Sequence, residues 1–308
     1  MGVFENARRG PRTGGDAVRE HIRNVTGSDD AYVFAYRSLE VHAYVVAKPV
    51  PHVLYTTFGV SRVASSQPSA GTQTELTMRV PGAPALPQQW PADVLARAAR
   101  DEIEPGHYLS LDTPRGTLTG FVFVTDPLLG VLDGPTGFIR FTCAVGLAGD
   151  DFERMLSWDP LKFAALIGDR VPLSMTSTDR APLSAHPDDR DMLDRVVGAE
   201  GSSIGAMHAR FLDVDASGRV DMDTAAARAV VRAARHRLLH GRTFALLNGD
   251  TWLLFDPHCP TAELADDHII VPATTAFANE LLAVFDAAPG VYRLRTAPLE
   301  IRVVDPNT

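Results

Sequence analysis

The sequence predicts an α+β fold: a mixed, largely antiparallel sheet with packed helices, followed by a second, smaller α+β unit. Three observations carry this expectation. Several stretches alternate apolar and polar residues with the period of two that a strand imposes, others repeat apolar residues at helical spacing, and the two kinds are interleaved along the chain. A chain of 308 residues with 45% hydrophobic content is also long enough to bury more than one core, which favours two domains over one.

Residues 1–30 read as a polar arm and a short helix in which Val18, Ile22 and Val25 share a face. From residue 31 the period changes to two. In 72–80, Thr74, Leu76, Met78 and Val80 point one way and Gln73, Glu75, Thr77 and Arg79 the other, so this strand is expected to turn one face to solvent. Ile139, Phe141, Cys143 and Val145 share one side of a strand over 138–146, whereas 118–124 is apolar almost throughout and is expected to be covered on both faces. Trp90-Pro91 opens a helix with Val94, Leu95 and Ala98 inward, because a proline in the first turn lacks only an amide proton that the helix would leave unbonded. Asp159-Pro160 opens another, with Phe163, Leu166 and Ile167 inward and Gly168 as its stop.

Pro182, Ser184 and Pro187 punctuate a stretch poor in large apolar residues. They place a boundary there, dividing the chain into an arm over 1–30, a first domain over 31–187 and a second over 188–308. The second domain starts on a helix at Asp188-Asp189. A strand around 207–214 and a long helix follow, the helix carrying Ala227, Val230, Val231, Ala234 and Leu238 on one stripe and ending at Gly241. Asn248-Gly249 between two apolar runs predicts a tight hairpin, since both residues tolerate the positive φ of a primed turn. A further helix carries Phe277, Leu281, Leu282 and Phe285, and strands near 291–294 and 299–303 close the chain.

The formal net charge of -9 disfavours nonspecific attraction to nucleic acid and favours a cationic partner. Arg8, Arg9 and Arg12 are not followed by an apolar segment, and no run approaches the length of a membrane span, which predicts a cytoplasmic protein with no membrane contact. Asn6 stands where an acylation signal beginning at Met1-Gly2 needs Ser or Thr. The two cysteines, Cys143 and Cys259, are too few for a disulfide framework or a four-ligand zinc site.

The sharpest local pattern is Asp213 to Asp221, which places oxygen ligands and Gly218 as a calcium loop would, but Thr224 stands where the bidentate Glu belongs. A hairpin turning at Ala216 to Gly218 is the competing reading. His258-Cys259 lacks an orienting third residue, and adjacent side chains rarely face one another. Ser61 and Ser202-Ser203-Ile204-Gly205 lack the glycines of a nucleophile elbow. With neither a P-loop nor a dinucleotide fingerprint, no cofactor is expected. His236, Arg237, His240 and Arg242 gather at a helix end, where cations complement the dipole.

Landmarks in the first domain come in a distinctive order. They are Tyr55-Thr56-Thr57-Phe58-Gly59-Val60-Ser61, Glu75-Leu76-Thr77-Met78-Arg79-Val80, Trp90-Pro91, Gly106-His107, Thr125-Asp126-Pro127-Leu128, Phe141-Thr142-Cys143-Ala144-Val145-Gly146-Leu147, Phe152-Glu153 and Thr178-Asp179-Arg180. In order and spacing the chain resembles the suppressor of fused family. The resemblance implies that residues 31–182 form a mixed sheet packed by helices that serves as a noncatalytic binding platform. Animal members of that family hold a transcription factor, partly by adding a peptide strand to a sheet, which uses backbone groups and needs no signature side chains. Bacterial relatives of that family look like immunity proteins of polymorphic toxin systems, and the resemblance therefore implies a protein partner such as a basic toxin domain.

Residue by residue, the resemblance gives Gly59, Ser61, Trp90, Pro91, Gly106 and Glu153 structural roles, the glycines in turns, Trp90 and Pro91 at a helix start and Glu153 in the first turn of a short helix. It offers Glu75, on its solvent face, and Asp126, Asp179 and Arg180 for partner contact, although Asp179 and Arg180 read equally as a surface ion pair. A scaffold that sequesters another intracellular factor, and an enzyme whose site is assembled from distant residues, stay open beside the immunity reading. The sequence sets no oligomeric state.

Overall fold

The structure, a computed structural model, describes residues 13–305; the predicted polar arm up to residue 12 lies outside them. The chain divides into two compact units, one of Met1–Phe152 with Pro160–Leu183, the other of Glu153–Asp159 with Ser184–Thr308.

The first unit opens with helix α1 (Gly14–Thr26). Its N-cap Thr13 and Asp16 bond each other's backbone amides in a capping box, and Gly27 ends it in the left-handed conformation, φ 72°. Strands β1 (Tyr32–Ala35), β2 (Glu40–Val46), β3 (His52–Phe58) and β4 (Gln73–Pro81) then run as an antiparallel meander. Helix α2 (Trp90–Ala98) precedes β5 (Tyr108–Arg115), β6 (Leu118–Thr125), β7 (Val131–Gly134) and β8 (Gly137–Ala148). The sheet order is β1-β2-β3-β4-β8-β6-β5 with β7 beside β8, and the β4/β8 pairing is parallel. Helix α3 (Asp151–Leu156) bridges the division between the units, and α4 (Pro160–Arg170) belongs to the first.

Both faces of this sheet are covered. On one, Val53, Tyr55, Leu76, Met78 and Phe121 pack with Trp90 and Leu95 of α2; on the other, Leu54, Phe58, Ile139 and Phe141 pack with Val18 and Ile22 of α1 and with Leu129. Each such side chain contributes about 1.5–3 kcal/mol on removal from water. The second layer overturns the expected solvent face of β4: Glu75, Thr77 and Arg79 are fully buried. Alternation reports which residues share a face and is silent on whether another layer lies over it. Val25, expected on the inner face of α1, is exposed. Gly168 does not stop α4, which runs on to Arg170 and closes with Val171 N bonded to Ile167 O before Pro172.

The second unit contains α5 (Pro187–Glu200), β9 (Ala206–His208), β10 (Leu212–Val214), β11 (Arg219–Asp223), α6 (Thr224–His236), β12 (Phe244–Asn248) and β13 (Thr251–Asp256). It continues through β14 (Glu263–Leu264), β15 (His268–Pro272), α7 (Thr275–Val284), β16 (Gly290–Arg293) and β17 (Glu300–Val304). These strands make two sheets, β10-β11-β17-β16 and β14-β15-β13-β12-β9, around a core that includes Val230, Leu246, Phe255, Phe277 and Ile301. The single strand expected around 207–214 is therefore two short strands in different sheets. Asp223 makes the break: it caps α6 through Ala225 N and Ala226 N at 2.7 and 2.9 Å, and it ties down Arg210 N and Phe211 N, both at 3.0 Å. In the β12/β13 hairpin Asn248 pairs with Thr251, so the loop residues are Gly249 and Asp250, one position later than the dipeptide signal suggests.

Candidate functional site

The most conspicuous chemistry in the first unit lies inside the sheet. Glu75 Oε1 accepts hydrogen bonds from Gly59 N, Ser61 N and Ser61 Oγ at 3.1, 2.9 and 2.5 Å, and Oε2 accepts from Thr57 Oγ1 at 2.5 Å. Gly59 makes this cage possible, because its φ of 122° turns the chain so that its own amide and that of Ser61 both aim back at the carboxylate. All four partners are neutral. Burial pushes the Glu75 pKa above the ordinary carboxylate value, against the opposing pull of those donors.

The other end of β4 solves the same problem with charge. Arg79 Nη1 and Nη2 donate to Asp126 Oδ2 and Oδ1 at 2.7 and 2.8 Å, and both side chains are wholly buried. Thr77 Oγ1 adds a bond to Oδ2 at 2.6 Å, and Leu128 N and Leu129 N add bonds to Oδ1 at 2.9 and 2.8 Å. Burial raises the Asp126 pKa, but Arg79 and the other donors outweigh it, and the carboxyl is held below its usual range. Glu75 and Asp126 are thus interior groups that fix the turn after β3 and the 126–130 loop; they are not surface contacts, as sequence reasoning expected. Their partners lay in the landmarks too, Thr57 in the one before and Thr77 and Arg79 in the same alternating row as Glu75, but one strand's polarity does not name a bonding partner.

Asp179 and Arg180 do not form an ion pair with each other. Arg180 Nη2 reaches Asp151 Oδ2 at 2.5 Å and Gly146 O at 3.0 Å, while exposed Asp179 accepts from Thr178 Oγ1 at 3.3 Å. Asp151 also accepts from Ala148 N and Leu183 N at 3.1 and 2.9 Å, a buried junction that sequence reading missed.

Backbone at the edge of the sheet is open to another molecule. β1 lies at one end of the sheet with no described strand on its outer side. Tyr36 N bonds Leu39 O at 2.9 Å, so by antiparallel alternation Phe34/Val41 and Tyr32/Ala43 are the bonded pairs. The amides and carbonyls of Val33 and Ala35 therefore face outward. Tyr32 and Val33 are 45% and 46% exposed, unusual for apolar strand residues. Beside the edge, on the α1 side, is a hollow of ≈ 330 Å³ lined by Arg19, Asp29, Val33, Glu40, His42 and Tyr44. His42 bonds Glu40 at 2.8 Å and stacks on Phe58 at 4.7 Å, which holds the hollow's wall in place. The opposite edge differs: β5 carries Pro114 and a register break between Ser110 and Arg115, both of which blunt a sheet edge.

Residues 36–181, just under half of the chain, match the family model described as Suppressor of fused protein (SUFU). These residues form a suppressor of fused domain. A crystal structure of Drosophila Suppressor of Fused is similar over 96% of this chain and 98% of that one, at 16% identity and a TM-score of 0.70. A crystal structure of a Sufu–Fu complex aligns over 60% of this chain and 98% of that one, at 20% identity and a TM-score of 0.51. A putative SUFU homolog from Neisseria gonorrhoeae aligns over 55% of this chain and 95% of that one, at 12% identity and a TM-score of 0.42. A comparison with curated protein sequences finds no match. The likeness to the Drosophila protein is one of fold, and it extends through the second unit, where the sequence offers no family landmark.

Within the suppressor of fused domain the remaining landmarks sit as local structure requires. Trp90 and Pro91 start α2, with Trp90 Nε1 bonded to Gln88 Oε1 at 2.6 Å, and Gly106, φ 95°, turns the chain into β5. Glu153 lies in the first turn of α3 and pairs with Arg232 at 2.9 Å.

Outside the suppressor of fused domain, Asp213 to Asp221 is the β10/β11 hairpin. Asp215 Oδ1 accepts from Ser217 N at 2.8 Å and from the Ser217 hydroxyl, and Asp221 pairs with Arg302 at 2.6 Å, so these carboxylates are engaged within their own sheet. Cys259 Sγ donates to Thr261 O and His258 N to Asp256 Oδ1, both in a turn. Arg237 does more than complement the α6 dipole: buried, it donates to Ser202 O at 2.6 Å and Thr243 O at 2.7 Å, pinning two loops. No helix among the described residues is long and apolar enough to cross a membrane.

Proposed function

We propose that this chain is a noncatalytic protein-binding module that takes an extended segment of another protein against the β1 edge, and that it acts in the cytoplasm as an immunity protein neutralising a cognate polymorphic toxin. In this reading residues 31–187 are the binding domain and 188–308 a second domain. The observation that carries it is the β1 edge, which no described strand covers and where outward backbone groups of Val33 and Ala35 lie beside a hollow of ≈ 330 Å³. Strand addition draws affinity from such backbone groups and specificity from pockets for alternate side chains.

Three further observations support the reading. One of the similar structures is of a Sufu–Fu complex. Polar side chains of the types that serve catalysis, Glu75, Arg79, Asp126 and Asp151, are each committed to internal bonds. A net charge of -9 accelerates encounter with a basic toxin domain.

The test is co-expression with the toxin-like product of the neighbouring gene. A stoichiometric complex and survival of the producing cell are expected. Val33→Pro, which removes an outward amide without touching the β1/β2 ladder, should abolish both. A protein that binds and protects against no neighbouring toxin ends the immunity reading; a complex untouched by Val33→Pro ends strand capture at β1.

A further inference from the structure

A second hollow in the first unit, ≈ 390 Å³, lies where β3 ends and β4 begins, under the chain that follows α2. Its floor is apolar, formed by Val60, Leu76, Ala99 and Ile103. Its rim carries three carboxylates, Asp101, Glu102 and Glu104, against one guanidinium, Arg100. An apolar floor under an acidic rim matches a side chain with a long aliphatic stem and a cationic head. Arginine fits best, since its planar fork bonds carboxylates in pairs whereas lysine offers a point charge.

Two exposed apolar side chains on the same sheet face extend the surface. Thr74, which lines the hollow, pairs with Arg140 of β8, and Arg140 pairs with Val131 of β7, so all three side chains share a face. Phe138, two residues before Arg140, shares it as well. Val131 and Phe138 are 51% and 54% exposed, and Val60 at the hollow itself is 38% exposed. Two strand spacings separate β4 from β7, about 10 Å, within reach of neighbouring side chains of one peptide. Arg140, between them, favours an apolar or acidic residue at the middle position.

We propose that this hollow receives an arginine side chain of the partner protein, with an apolar side chain of the same segment resting on Val131 and Phe138. The proposal rests on the protein-binding reading and adds to it a second, charge-selective contact on the face of the sheet, apart from the β1 edge.

The test needs no knowledge of the partner. The full chain, methyl-labelled for NMR, is titrated with Nα-acetyl-arginine methylamide and with its uncharged citrulline counterpart. Saturable shifts are expected at the methyls of Val60, Leu76, Ala99 and Ile103, with citrulline binding at least about tenfold more weakly, roughly 1.4 kcal/mol. A Glu102→Gln and Glu104→Gln double variant, at solvent-facing rim positions, should fold as before and lose a similar factor for arginine alone. Equal binding of the two probes, saturable shifts confined to other methyls, or no saturable shift at all overturns the proposal. The two readings fail separately: absence of any bound toxin leaves this titration unchanged, and failure of the titration leaves strand capture at β1 intact.

Discussion

In β4 the polar side chains of Glu75, Thr77 and Arg79 are fully buried and bonded inside the fold. At the sheet's end, in β1, apolar Tyr32 and Val33 are exposed and the backbone groups of Val33 and Ala35 face outward with no described strand beside them. The central strand thus buries what sequence polarity assigns to solvent, and the edge strand exposes what polarity assigns to the core. A polar group in a sheet is consumed by the fold or left for a partner according to what lies beside it, and its chemical type does not decide which. In this domain the interior polar groups specify the shape, and under the proposed function the open backbone at β1 is a part left for another protein.

The comparison breaks most visibly at Asp126. Asp126→Ala leaves the Arg79 guanidinium buried and unpaired, and should cost about 3–5 kcal/mol in denaturant unfolding. Pairing it with Arg79→Met should recover part of that loss, because a neutral pair of similar volume removes the uncompensated charge but still leaves the Leu128 and Leu129 amides without their acceptor. A double variant no more stable than Asp126→Ala would show that the charge pair is not what the loop depends on. At the uncharged cage the effect is smaller. Glu75→Leu should cost about 3 kcal/mol, as two amides and two hydroxyls lose their acceptor in a dry site.

The two carboxylates should also respond to pH with opposite signs. Glu75 has a raised pKa in the folded protein, so the native state binds more protons than the unfolded state just above the ordinary value of 4.5, and its contribution falls as pH rises through that window. Asp126 has a lowered pKa, so its contribution is complete above the ordinary value of 3.8 and is lost as pH falls below it. Urea unfolding across this range should show wild type losing stability relative to Glu75→Gln as pH rises, and relative to Asp126→Asn as pH falls. Matching pH profiles for the wild type and both variants would contradict the assignment. The smallest expected effect on stability is at the edge: Val33→Pro should shift unfolding by less than about 0.5 kcal/mol while removing partner binding, since the lost amide faces outward.

Much of the scaffold was legible from local pattern. Trp90-Pro91 starts α2, the apolar run inside β6 is covered, and Phe277 and Leu281 face the core, because helix and strand periods follow from steric preferences of residues a few positions apart. Failures occur where a distant residue decides. Gly168 lies inside α4 because the chain can pass through a glycine when the next turn is completed, and the β12/β13 loop falls on Gly249 and Asp250 because strand pairing sets its register. The ≈ 390 Å³ hollow left no trace in spacing, since its lining comes from three separate stretches of chain.

By itself, the sequence determined most of the elements, the mixed sheet and the suppressor of fused landmarks, all of which rest on short-range order. Tertiary structure alone decided that Glu75 and Asp126 are interior groups, that Arg180 bonds Asp151, and that no described strand covers the outer side of β1. Arg79 meets a carboxylate 47 residues away, and such meetings, like the layer that α1 lays over the sheet, arise only once the chain has closed on itself.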